Sequence, residues 1–178
     1  MRKLFSQHKR ILQYMIGYIL IPFILFVAYF IFHMEDVNFT GIINHPSYGN
    51  LMKIPCLLLW FYFNWLCYEQ VHLPHKKSWF LLTSFFAISA VLIPYSVPSA
   101  LFSNLHVLFS DIAFLLFNGI ILYSDLYETK KLAVFFILCI PSFLLCIVSM
   151  SVTGIAEIAY TAGLSVYLTI YAKEKPSL

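Results

Sequence analysis

Charge is what this sequence has least of. Asp, Glu, Lys and Arg make up 11% of its 178 residues, where a soluble domain carries about a quarter. A water-soluble fold could not cover its surface with so few, so an ordinary soluble domain is excluded and lipid is the fitting solvent. The basic residues form no stripe, which excludes a nucleic-acid footprint. Cys56, Cys67, Cys139 and Cys146 make no CxxC pair and have no zinc-ligand spacing. His8, His72 and His75 fit no metal motif either, so neither metal nor cofactor is expected. There is no internal repeat and no low-complexity tract. No A-x-A site follows the first apolar run, which is too long for a signal-peptide core and is read as a retained helix.

What is present is apolar. Hydrophobic residues are 61% and aromatic residues 19% of the chain, and mean hydropathy is +0.84. Six apolar runs stand near the roughly 20 residues that span a bilayer core. They cover about 11–32, 51–68, 79–95, 100–123, 132–150 and 154–171. Ser151, Val152 and Thr153 alone separate the last two runs, so a tight turn is expected. The predicted fold is all-α: one transmembrane domain over residues 1–178, a bundle of six transmembrane helices.

Charge placement orients it. With six spans, Arg2, Lys3, Lys9, Arg10, Lys76, Lys77, Lys130, Lys131, Lys173 and Lys175 share one side, and Lys53 is on the other. That bias predicts both termini in the cytoplasm of a cell membrane. Trp79, Tyr95, Tyr123, Tyr127 and Tyr171 fall near the expected interfaces, and Pro22 and Pro141 fall inside spans. The longest outer connection, 33–50, contains Glu35, Asp36, His45 and a glycosylation tripeptide, Asn38-Phe39-Thr40. It could fold over the outer mouth, bringing His45 toward the polar residues considered next.

A charged side chain at the bilayer centre costs about 2.5–3.5 kcal/mol on the insertion scale, so intramembrane polar residues need a reason. The fourth and sixth runs hold most of them. In the fourth, Ser103, His106 and Ser110 form one edge, and Asn104, Asp111 and Asn118 the other, of an arc of roughly 160°. This arc is expected to face protein or water. The sixth carries Glu157 with Tyr160 and Thr161 at i+3 and i+4. A rise of 1.5 Å per residue puts His106 and Glu157 about 5–10 Å, and Asp111 about 15 Å, below the outer interface. If the helices touch, His106, Ser110, Asp111 and Glu157 form one outer-half cluster. Asn64 in the second run reads as a packing contact.

Pro94, Ser103-Asn104-Leu105-His106 and Gly154-Ile155-Ala156-Glu157 resemble the DRAM/Sfk-type six-helix membrane proteins, a group with many bacterial members. The resemblance covers about the last hundred residues in pattern and implies a lipid-related or trafficking role. Ile158 stands where bacterial relatives often carry Arg. A second likeness, to substrate-binding subunits of vitamin transporters, rests on six helices, similar length and a long first outer loop. The first run, mostly bulky with Gly17 and Ala28, departs from their small-residue pattern.

Three readings follow. In the first, a non-enzymatic protein binds a membrane lipid, a small apolar ligand or another membrane protein through Ser103, Asn104, His106, Ser110, Asp111, Glu157, Tyr160 and Thr161. The bland version of the same cluster is a hydrogen-bonded clasp, with His106 paired to Glu157 or Asp111. In the second, a lipid-directed membrane enzyme uses His106, Asp111 and Glu157 as acid–base groups, or Ser110 activated by His106. The third is a small transporter or its binding subunit.

Overall fold

The computed structural model describes His8 and residues 10–95, 100–125 and 128–172. Arg2, Lys3, Lys9, Tyr127, Lys173 and Lys175, invoked above, lie outside the described residues. Among the described residues every regular element is helical. The elements are α1 (Arg10–Phe32), α2 (Phe39–Ile43), α3 (Gly49–Gln70), α4 (Lys76–Leu92), α5 (Ala100–Asp125), α6 (Thr129–Ser149) and α7 (Gly154–Ile170). Each of the six apolar runs became a helix. The one-turn α2 was not anticipated.

Among the described residues four helices are long and apolar enough to cross a membrane by length and composition: α1, α3, α5 over Ala100–Ser124, and α6. The apolar α7 is shorter, at 17 residues, as is α4. At 1.5 Å per residue each of these two reaches about 25 Å. Large apolar side chains stand uncovered along the helices, Val148 at 83% and Ile137 at 70% exposure among them. That is the surface of a membrane-embedded chain, because lipid rather than water accepts it without penalty.

The ends of the helices have local causes. Ile93 is extended (φ −71°, ψ 121°) because the following Pro94 disfavours helical geometry in the residue before it; α4 therefore stops three residues before the expected end of its run. Its start moves back to Lys76, after His75 in the left-handed region. α1 stops at His33 (φ 48°). Met150 (φ 55°) turns the chain after α6, and Thr153 caps α7, its hydroxyl accepting from the Ala156 amide. The expected tight turn is 151–153.

The chain divides into two compact units, one drawing on residues up to Asn38 and from Ala133 onward, the other on Phe39–Leu132. The first unit is built on α1, α6 and α7. Its closest helix contacts are made by small residues, beside a ring pair, Phe135 against Tyr167 at 5.3 Å. A side-chain carbon on Gly163 would lie 2.3 Å from the Leu138 carbonyl oxygen, and one on Gly17 would lie 1.8 Å from Thr169 Oγ1, so these helix backbones approach as only glycine permits. Ser142 Oγ donates to the Ala156 carbonyl at 2.7 Å.

The Gly17 crossing follows from Pro22. Residues Met15–Leu20 form a π-helix, and the Ile21 amide reaches back to the Ile16 carbonyl. In that ladder the Gly17 carbonyl would take its hydrogen from residue 22, but proline has no N–H. Ser165 Oγ supplies it instead, at 2.8 Å. A buried carbonyl left bare would cost the desolvation of a polar group, so a proline in α1 calls for a hydroxyl on α7.

Candidate functional site

The polar residues of α5 belong to the second unit, α2–α5. This unit packs through rings: Trp60 lies against Phe117 at 5.1 Å, Tyr68 against Phe80 at 5.2 Å, and Phe86 against Phe109 at 5.3 Å. The buried stripe of α5 is Ala113, Phe117, Ile120 and Ile121, with His106 one repeat earlier. Asn118 is buried too and donates to the Phe114 carbonyl at 2.8 Å.

His106 is 2% exposed and has its polar atoms occupied. Its Nδ1 lies 3.0 Å from the Ile93 carbonyl oxygen. A carbonyl can only accept, so Nδ1 carries the proton; in the neutral ring Nε2 is then an acceptor. The Thr40 hydroxyl, 3.2 Å away, donates to it. Asn44 closes the circuit: its Nδ2 donates to the Thr40 carbonyl at 2.8 Å, and its Oδ1 accepts from the Tyr95 amide at 2.8 Å. The Tyr95 ring sits edge-on to His106 at 5.7 Å. The result is a closed ring of hydrogen bonds tying the short α2 to the end of α4 and the start of α5. Chemically, it satisfies the orphan carbonyl that every helix leaves at its C-terminal end.

This changes the expected roles. Both His106 nitrogens are committed to Thr40 and Ile93, not to a carboxylate, so the clasp exists with different partners from those anticipated. Ser110 is half-buried and is not a partner of His106, so a serine–histidine pair is not assembled. Ser103 is half-buried; Asn104 and Asp111 are exposed. The polar arc of α5 is thus split: His106 faces the packing of its unit, while Asn104 and Asp111 face away from it. Asp111 has no hydrogen-bond or ion-pair partner among the described residues.

Glu157, Tyr160 and Thr161 are in the first unit. Glu157 occupies the first turn of α7, where a carboxylate is favoured by the positive end of the helix dipole. The Thr161 hydroxyl donates to the Glu157 carbonyl at 2.7 Å, and the Tyr160 ring lies 6.3 Å from that of Phe143. The Thr161 bond is intrahelical and the Tyr160 ring contact is packing between α6 and α7.

Other residues singled out have local partners. His45 stacks on Tyr48 at 3.9 Å and accepts from the Ser47 amide; it is not part of the His106 ring. Asn38 Nδ2 donates to the Val152 carbonyl, so both polar side chains of the glycosylation tripeptide are engaged. Asn64 Nδ2 donates to Ser84 Oγ, a packing contact. Among the described residues its Oδ1 is buried without a hydrogen-bond partner, as is Trp60 Nε1 one turn earlier. Among the described residues no three of His, Cys, Asp and Glu gather as a metal site would require. Thr40 and Asn44 are the site residues that sequence reasoning missed. Pro94 was the available signal: it marks a helix end, whose carbonyls need donors.

No protein-family model, no curated protein and no solved structure matches the chain.

Proposed function

We propose that the chain is a six-span integral protein of a cell membrane with both termini in the cytoplasm, and that it acts by binding rather than by catalysis. Its binding face is the exposed polar side of α5 around Asp111 and Asn104, and the occupant is a lipid, a small apolar ligand with a polar group, or another membrane protein. One observation carries this reading. Asp111 is exposed and, among the described residues, unpartnered, about 16 Å along α5 from Ala100. An ionised carboxylate left in hydrocarbon costs about 2.5–3.5 kcal/mol, so a polar covering is needed there. The burial of His106 supports binding over acid–base chemistry, because at 2% exposure its ring is closed to a substrate. The resemblance to the DRAM/Sfk-type group points the same way, to a lipid-related role.

The test compares Asp111→Leu with the unsubstituted chain, both purified in mild detergent. Thermal stability is expected to hold or rise, while the lipid, small molecule or partner that copurifies is lost. Unchanged copurification would remove Asp111 from the binding face. Orientation is tested separately by single cysteines placed at Lys76 and Lys131 in a cysteine-free background. Labelling by a membrane-impermeant reagent in intact cells would reverse the proposed sidedness.

A further inference from the structure

The loop joining α3 to α4 is basic and open. A cleft of about 640 Å³ is lined there by His72, His75, Lys76 and Lys77 together with Tyr68 and Pro74. Glu69, the one carboxylate between Tyr68 and Ser78 in the sequence, is not among the lining residues. Lys76 is held in place: its Nζ donates to the Tyr68 carbonyl at 3.2 Å and stands 4.3 Å from the centre of the Tyr68 ring. That uses one of its three N–H groups and leaves the others for an anion. Lys77 is exposed, with no hydrogen-bond or ion-pair partner among the described residues. The cleft also lies at the N-terminal end of α4, where no side chain caps the helix and the dipole favours negative charge.

A second groove, of about 400 Å³, continues from the first and shares Tyr68 and Lys77 with it. Its walls are Phe61, Trp65, Phe80 and Leu81, and the Asn64–Ser84 pair lies along it. From Lys77 to Ser84 is seven residues, or about 10 Å of helix. That is the step from a phosphate in the headgroup layer into the upper part of an acyl chain. A basic mouth that opens into an apolar trough matches an amphiphile with a negative head and a hydrocarbon tail.

We propose that α3 and α4 seat one anionic phospholipid, its phosphate against Lys76 and Lys77 and one acyl chain in the groove beside Trp65 and Phe80. This site is separate from the Asp111 face. It rests on the membrane-spanning part of the reading above and on neither Asp111 nor the assigned orientation.

The experiment uses the full chain in mixed micelles and follows bound lipid by native mass spectrometry. Phosphatidylglycerol is compared with phosphatidylcholine of the same acyl chains. One phosphatidylglycerol is expected to bind in preference, and the double variant Lys76→Gln/Lys77→Gln is expected to weaken it about tenfold or more. The variant Lys130→Gln/Lys131→Gln, basic but outside the cleft, should bind as the unsubstituted chain does. Equal binding of the two lipids, an equal loss in both double variants, or displacement by millimolar inorganic phosphate would each overturn the proposal. Should Lys76→Gln/Lys77→Gln misfold, the chain that keeps Lys76 and Lys77 and has Trp65 as sole tryptophan (Trp60→Phe, Trp79→Phe) decides. Its fluorescence should be quenched more by acyl-brominated phosphatidylglycerol than by acyl-brominated phosphatidylcholine, and equal quenching counts against the seat. Resistance to alkaline carbonate extraction, measured on membranes from the same cells before solubilisation, reports membrane integration independently, so a failed lipid site is distinguishable from a failed membrane reading.

Discussion

The two units of this protein are held together by different chemistry. In the one built on α1, α6 and α7, helices come closest where side chains are smallest, at Gly17 and Gly163. Nine of the seventeen residues of α7 are buried, and glycine, alanine, serine and threonine supply six of them. In the unit built on α2–α5, large rings fill the space, and a few amides, hydroxyls and one imidazole tie the ends. Neither solution relies on the hydrophobic effect, which gives helices little reason to associate once lipid is the solvent. The first relies on close approach, the second on polar partners that have no water to fall back on. The units should therefore break under opposite insults: added bulk in one, a lost partner in the other.

The largest effect is expected from Gly163→Val. The new side chain would point at the Leu138 carbonyl oxygen, 2.3 Å from the Cβ position, and backbone cannot rotate out of the way as a side chain can. A loss of about 3 kcal/mol or more is expected, seen as a failure to elute as a single species in detergent or as a sharply lowered melting temperature. A variant as stable as the original would mean that α6 and α7 are not packed through this glycine. Next comes His106→Ala in the other unit. It strands the Ile93 carbonyl and the Thr40 hydroxyl, a cost of about 2 kcal/mol. Faster protease cleavage within 39–50 should accompany the lower melting point; cleavage at the original rate would show that α2 is held by something other than the ring.

Ser165→Ala sharpens the comparison, because it removes a polar partner from the unit that otherwise depends on fit. About 0.6–1.7 kcal/mol should be lost, the range of interhelical hydrogen bonds in a bilayer protein. A loss as large as that of His106→Ala would erase the distinction between the units. The smallest effect, of opposite sign, belongs to Gly119→Ala on α5. Nothing lies within 4 Å of the added carbon, so the gain is the helix propensity of alanine, about 0.5–1 kcal/mol. A destabilised Gly119→Ala would reveal a contact on that face with something outside the chain.

The helices were legible because hydropathy and length alone decide them: runs of about twenty apolar residues have no stable alternative in lipid. The details came from elsewhere. Nothing local to Met15–Leu20 announces a wide turn, since the reason for it is a missing hydrogen on Pro22 and a hydroxyl on α7. Thr40 and Asn44 escaped notice because their partners lie 66 and 51 residues away and a five-residue helix has no periodicity to read. For α5, spacing placed His106 with Asn104 and Asp111 on one arc, which the structure splits between a buried and an exposed side. It could not say where the middle of that arc points, and a rotation of a fraction of a turn separates a buried histidine from an exposed aspartate. The reading of Asn64 as a packing residue needed one partner, Ser84, and the structure supplies it.

The bond between Ser165 and Gly17 has a consequence for the making of the chain. Its two ends are 148 residues apart, so α1 is synthesised long before the group that satisfies it. Until α7 emerges, the newborn α1 carries a carbonyl oxygen that the Pro22 position cannot cover. Arrival of α7 covers it, and a ribosome that stalls before α7 leaves it bare.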